Sequence, residues 1–163
     1  MKLKQKEILI TSNGGNKSIN FWDSNKYNKL HSIKGHCAYA GGTKMIELPN
    51  GLVAISSGAS PHPILIVDPI TYSIVTEIKE EGYITNYSSL CVLDQHSFIY
   101  VRDGNVVQIA IDNGHRILFK IKGEQQLHGY NGVVSVRGGK YLIIQDEAKT
   151  GFKVIKHSYQ YYY

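Results

Sequence analysis

The sequence predicts an all-β protein, and three features support this fold class. Short segments of β-branched and aromatic residues are closed every five to eight positions by Gly, Asn, Asp or Pro, which is typical of strands and turns. No ten-residue window carries the three-to-four spacing of an amphipathic helix without a breaker. Similar segments also return at a nearly fixed interval, which indicates a repeat architecture.

Fourteen strands are predicted, joined by short turns in which Gly, Asn, Asp and Pro are frequent. Each strand begins after such a turn and ends at the next one, so its bounds follow from the turn residues. The predicted strands cover residues 7–11, 17–22, 29–34, 43–48, 52–57, 63–67, 73–79, 87–92, 97–102, 105–111, 116–121, 131–136, 140–145 and 151–156.

One kind of strand occurs three times in the same setting, with a turn before it and an aspartate at its end. The three closing aspartates are 45 and 44 residues apart. A periodic Asp is more simply a turn former than a catalytic acid or base, so we assign these residues a structural role. They are Asp23, Asp68 and Asp112.

Each of these strands is followed by a polar turn, a further strand and a glycine. The three glycines are Gly35, Gly82 and Gly123, which are 47 and 41 residues apart. Another strand then opens the next unit, so a unit of four strands repeats about every 44 residues. The predicted units cover residues 7–34, 43–79, 87–122 and 131–157, within a single partial domain that spans residues 1–163.

Three dipeptides of this repeat resemble the WD-repeat β-propeller family: Gly35-His36 opening a repeat, Trp22-Asp23 ending a third strand, and Asp103-Gly104 in a turn. The resemblance covers nearly the whole chain and implies radially stacked blades of four antiparallel strands. In the family a His, a turn Asp, a strand Ser or Thr and the Trp hydrogen-bond across one blade, and no single repeat here contains all four. Kelch propellers are the alternative family, but the glycine doublets at spacings of 27 and 97 residues do not fit their period.

The number of strands corresponds to about 3.5 to 4 repeats, which predicts a partial ring or half-propeller. Propellers close with about four to eight blades, and open blade faces would be large exposed apolar patches. We therefore expect the chain to complete its ring by self-association, as a homodimer or other homo-oligomer, or to be part of a longer chain. A closed four-bladed ring, with residues 2–4 and 158–163 in the missing strand places, is the remaining alternative.

A recurring tyrosine marks a candidate protein-binding surface. Tyr39, Tyr83 and Tyr130 follow the repeat-opening glycines and are 44 and 47 residues apart, which places them on one face near the connections between blades. In the resembled family that face commonly binds partners. The turn residues His62, Arg102 and Asp103 are expected on the same side. Packing of the tyrosines between blades is the structural alternative.

The net charge of +5 is concentrated at the two ends of the chain, where nucleic acid is an alternative partner. Only three of the 18 basic residues are Arg and no run of like charge reaches five, which favours solvated lysines. The sequence lacks a signal-peptide apolar region and a stretch of about 18 to 20 apolar residues, so we expect a cytoplasmic protein with no membrane segment.

The sequence contains no pattern typical of an enzyme or a metal protein, and we expect no catalysis, no metal and no cofactor. His31, His36 and Cys37 lack the spacing of a zinc site, and Cys91 lies in an apolar strand, where a thiol is inert. A propeller enzyme or small-ligand sensor that uses the central channel is the alternative. It would need polar side chains on the innermost strands, where Lys44 and Glu47 are almost the only ones.

Overall fold

The computed structural model describes residues 1–4, 6–13, 16–36, 43–56, 64–78, 89–102, 105–112, 117–121, 133–146 and 151–156. Within these ranges the protein has fourteen β-strands and no helix, which confirms the all-β prediction. The described residues thus include no helix of the length and apolarity needed to cross a membrane. The chain divides into two compact units, Met1–Tyr87 and Ser88–Tyr163.

The first unit contains two antiparallel sheets, which we call the first and second sheets. The first sheet has the order β1-β2-β3, and the second has the order β4-β5-β6-β7. Their strands are β1 (Ile8–Asn13), β2 (Ser18–Asp23), β3 (Lys29–Lys34), β4 (Lys44–Glu47), β5 (Val53–Ser56), β6 (Ile64–Asp68) and β7 (Ser73–Ile78).

The second unit also contains two antiparallel sheets, the third and the fourth. The third sheet has the order β11-β10-β9-β8, and the fourth has the order β12-β13-β14. Their strands are β8 (Ser89–Val92), β9 (Ser97–Arg102), β10 (Asn105–Ala110), β11 (Ile117–Ile121), β12 (Val133–Val136), β13 (Tyr141–Asp146) and β14 (Gly151–Lys156). All fourteen strands lie within two residues of their predicted bounds.

The amino-terminal segment lies beside β1, at the position that β4 occupies in the second sheet. Lys2 forms an antiparallel bridge with Leu9, and the amino group of Met1 donates to the carbonyl oxygen of Ile10 at 2.6 Å. Leu3 is buried in the core of the unit. This segment therefore fills the missing first-strand place of the first sheet, the place that the closed-ring alternative gave to residues 2–4; residues 158–163 lie outside the described ranges.

Each unit has a core between its two sheets, formed by alternate residues of neighbouring strands. In the first unit Phe21 and Ile10 of the first sheet pack with Val53 and Leu65 of the second. In the second unit the core residues are Leu93, Ile99, Val106, Val133, Leu142 and Ile144. The pleat thus gives each sheet one face for its neighbour, and burial of that face stabilises sheets that would be marginal alone.

Hydrogen bonds between sheets of the same unit join residues about one repeat apart. In the second unit the amide of Val133 donates to Ser89 Oγ at 3.1 Å, across 44 residues of sequence. In the first unit the amide of Lys4 donates to Glu47 Oε2 at 2.8 Å, across 43 residues. Equivalent strands are therefore neighbours in space, as stacked repeats require.

A β-bulge at the same place in three sheets marks one equivalent position in three successive repeats. The bulges follow Phe21, Ile66 and Gln108, which are 45 and 42 residues apart. Asp23 and Asp68 are the last residues of their strands, two positions beyond the bulge residue in each case. The third sheet differs, because β10 ends at Ala110 and Asp112 lies two residues further on.

Candidate functional site

The predicted tyrosine surface stays a prediction. Arg102 ends β9, but its side chain is not among those described. The other residues of this surface, and two of the repeat glycines, lie outside the described ranges: Tyr39, Tyr83, Tyr130, His62, Asp103, Gly82 and Gly123.

The turn after β2 in the first sheet and the turn after β6 in the second have the same hydrogen-bonding pattern. The carboxylate of Asp23 accepts from the amides of Asn25 and Lys26 at 2.8 and 2.9 Å, and that of Asp68 accepts from the amide of Ile70 at 2.7 Å. These hydrogen bonds to the charged form hold the pKa of both carboxyl groups below its ordinary value. The two aspartates thus close turns, as the sequence predicted.

The same turns place a tyrosine four residues after each aspartate. Tyr27 and Tyr72 have positive φ angles of 54° and 56°, a conformation that a bulky side chain rarely adopts. The tyrosines are 45 residues apart, so they occupy one position of the repeat. Sequence reasoning missed this pair, although its spacing equals that of the preceding aspartates.

Tyr72 connects the second sheet to the first through an aromatic cluster. Its ring lies 5.3 Å from that of Phe21 and 5.4 Å from that of His31, with which it is stacked. Such contacts add to the stability gained from burial. Tyr27 differs, because it is 73% exposed.

A hydrogen-bonded polar network lies on the face of the first sheet that points away from its core. Trp22 Nε1 donates to Thr11 Oγ1 at 2.9 Å, Ser32 Oγ donates to Asn20 Oδ1 at 2.8 Å, and Asn20 Nδ2 donates to Ser18 Oγ at 3.2 Å. The Trp22–Thr11 bond joins β1 to β2 across this face. Thr11 had no signal of its own in the sequence.

Gly35 and His36 occupy the connection after the first sheet. Gly35 has a φ of 86°, where any side chain would be strained, and its amide donates to the carbonyl oxygen of Lys17 at 2.7 Å. His36 Nδ1 lies 3.6 Å from Glu77 Oε1. The partner of this His is therefore a carboxylate of β7. In the described part of the chain, no three His, Cys, Asp or Glu side chains are grouped to hold a metal ion.

The fourth sheet has one buried and one exposed face. Leu142 and Ile144 point into the core, whereas Val134, Phe152 and Val154 are 57%, 73% and 62% exposed. The register places Val134, Ile143 and Val154 in one row across the three strands. We call this surface, formed by Val134, Ile143, Phe152 and Val154, the open face.

One end of the open face is basic. Arg137 Cζ and Lys140 Nζ each lie 5.9 Å from the ring centroid of Tyr141, and Lys156 pairs with Tyr141 across the two strands. These cation–π contacts hold two positive charges over one ring. The open face is therefore an apolar patch with a positive border, which is typical of an interaction surface.

Cys91 of β8 has a thiol that we expect to be inert. Burial raises its pKa to about 11, opposed by a weaker hydrogen bond from the amide of Ser135. At about pH 8 this leaves about 100-fold less thiolate than an unburied thiol of pKa 9.0 would have. In a Cys37→Ser background we expect native protein to react with Ellman's reagent at least about 100-fold more slowly than protein in urea. Equal rates would show that Cys91 is accessible.

No protein-family model and no curated protein match this sequence. Solved structures do match: a chain of the Mitotic Checkpoint Complex has a TM-score of 0.72 at 14% identity, over 93% of this chain and 46% of the other. A chain of Kuenenia stuttgartiensis hydrazine synthase has a TM-score of 0.72 at 13% identity, over 94% of this chain and 50% of the other. This chain thus spans about half the length of the structures it matches. Its fold is the fold of these propellers, built from blades of antiparallel strands.

Proposed function

We propose that this chain is a non-enzymatic, WD-repeat-like scaffold that binds other proteins. The observation that carries the proposal is the open face, which leaves Phe152 and Val154 largely in water. Contiguous apolar patches larger than about a few hundred Å² are rare on monomeric proteins, and they mark interaction sites. The likeness to a chain of a multiprotein checkpoint assembly is compatible with such a role.

The proposal includes two kinds of contact. The surface of Tyr39, Tyr83 and Tyr130, with His62, Arg102 and Asp103, binds partner proteins through a propeller face. The open face completes the ring, either with a second copy of this chain or with the remainder of a longer one. We place this function in the cytoplasm.

The tyrosine surface is tested by replacing Tyr39, Tyr83 and Tyr130 together with Ala and comparing the proteins that co-purify from cell extract. We expect the triple variant to fold, as judged by the fluorescence of Trp22, and to lose the proteins retained by wild type, because large aromatic side chains dominate interface energies. The matched control replaces Tyr159, Tyr161 and Tyr162. Unchanged retention by the folded triple variant would contradict the proposed surface.

A second candidate function, binding of nucleic acid, is favoured by the cations around Tyr141. Arg137, Lys140 and Lys156 offer phosphate contacts next to an aromatic ring. Binding of this kind weakens steeply with salt, because neutralised phosphates release counterions. Retention on heparin that falls with salt, and that drops when Arg137 and Lys140 are replaced by Gln, would support this candidate over protein binding.

A further inference from the structure

We infer that the open face receives the first sheet of a second copy of this chain, with Tyr27 of that copy packing beside Val154. This inference rests on the proposed function, because it names the surfaces through which self-association occurs. The contact between the first and second sheets is the template for the contact between copies.

The hairpin β13–β14 repeats the hairpin β1–β2 residue for residue. Ile10 pairs with Phe21 in the first sheet, and Ile143 pairs with Val154 in the fourth. Both members of the pair are shifted by 133 residues, which is three repeat lengths. The same shift relates Ile19 to Phe152. The open face of the fourth sheet is thus equivalent to the core-facing side of the first.

The apolar positions of the two equivalent faces differ in what covers them. Ile10, Ile19 and Phe21 have no exposed surface, because the second sheet packs on them. Phe152 and Val154 occupy the same positions and stay exposed. The open face therefore has the composition and register of a surface that another sheet covers.

The first sheet has the side chain needed to cover such a face. Tyr72 of the covering second sheet packs on Phe21, and Tyr27 occupies the same repeat position one sheet earlier. Tyr27 of a second copy would thus meet Val154, the equivalent of Phe21. Tyr27 is largely exposed in the single chain, so its ring can contact a second copy without first leaving a packed position.

The outward face of the first sheet tolerates burial. Ser18 and Asn20 are already buried there, and the indole of Trp22 and the hydroxyl of Ser32 already donate to partners on this face, so covering it removes few hydrogen bonds to water.

The lengths of the matched structures favour two copies. This chain covers 46% and 50% of the propeller chains it resembles, so two copies correspond to one such chain. A closed pair contains two identical contacts, each between the open face of one copy and the first sheet of the other. Both surfaces carry lysines, so added salt is expected to strengthen the pair, whereas it would weaken binding of nucleic acid.

The experiment measures the solution mass by light scattering over an about tenfold range of concentration, for wild type and three single variants. We expect wild type to reach about twice 18.3 kDa. Val154→Lys and Tyr27→Lys should each raise the dissociation constant by about tenfold or more, because each places a charge in both contacts. The control Ile70→Lys changes a comparably exposed residue outside both surfaces and should leave the mass unchanged.

Mixing the two weakened variants gives the most specific result. A mixed pair of Val154→Lys and Tyr27→Lys retains one intact contact, so the mixture should form pairs at concentrations where neither variant does so alone. Three results would each overturn the inference: monomeric wild type throughout, pairs unaffected by both substitutions, or no recovery on mixing. If wild type is monomeric but the triple tyrosine variant still loses its partner proteins, the inference fails while the proposed function stands.

Discussion

Replacing Phe21 by Ala is expected to lower the free energy of unfolding of the first unit by about 3–5 kcal/mol, the cost typical of truncating a buried aromatic residue. Phe21 has no exposed surface and contacts the rings of His31 and Tyr72. The cavity would lie between the first and second sheets, where it weakens the packing of both. The measurement is urea unfolding followed by the fluorescence of the neighbouring Trp22, the single Trp of the chain.

The matched control for this change is Phe152→Ala, measured at a concentration where the chain is monomeric. Phe152 has the same side chain as Phe21 and lies on the equivalent face of its own sheet. Because Phe152 is exposed, its truncation should lower the free energy of unfolding by less than about 1 kcal/mol. Similar losses for the two variants would show that Phe21 is not enclosed between sheets.

Replacing Leu142 by Ala is expected to destabilise the second unit by about 2–5 kcal/mol. Leu142 is 1% exposed and packs in the cluster that includes Val133 and Ile144. Native-state hydrogen exchange of the Val133 and Ile144 amides reports this loss directly, since core amides exchange by the larger opening reactions.

The control for Leu142 is its exposed neighbour on the same sheet, Val134. Val134→Ala should change the exchange of those amides by less than about 1 kcal/mol in the monomer. If Val134→Ala accelerated exchange as much as Leu142→Ala does, the assignment of buried and exposed faces of the fourth sheet would be wrong.

The strands could be predicted from the sequence because their ends are marked by turn chemistry. Asn13 and Gly35 stop apolar segments, and the left-handed φ of Gly35 and Gly51 shows why glycine stands there. The repeat was visible for the same reason, since Asp23 and Asp68 close equivalent turns. Asp112 follows Asp68 by 44 residues, close to the repeat length, but it lies beyond the end of β10. The reason is that the bulge of the third sheet follows that of the second by only 42 residues.

An open apolar blade face was predicted, but the residues that form it could not be, because both faces of a blade strand are apolar in sequence. Phe152 and Val154 alternate with Ile155, and only the pairing of β14 with β13 shows which face points away from the core. The hydrogen bond of Thr11 could not be predicted for a similar reason, since its contact with Trp22 depends on how β1 and β2 align. Tyr27 and Tyr72 were within reach of sequence reasoning, because they share the spacing of Asp23 and Asp68.

The central claim is that, within each unit, the two sheets lie one repeat apart in sequence and stack face to face, and NMR distance contacts test it most directly. We predict nuclear Overhauser contacts between the Val133 amide and the β protons of Ser89, which are 44 residues apart. We also predict contacts between the rings of Phe21 and Tyr72. Contacts confined to neighbouring strands of single hairpins, with none between residues about 44 positions apart, would contradict the stacked-repeat account.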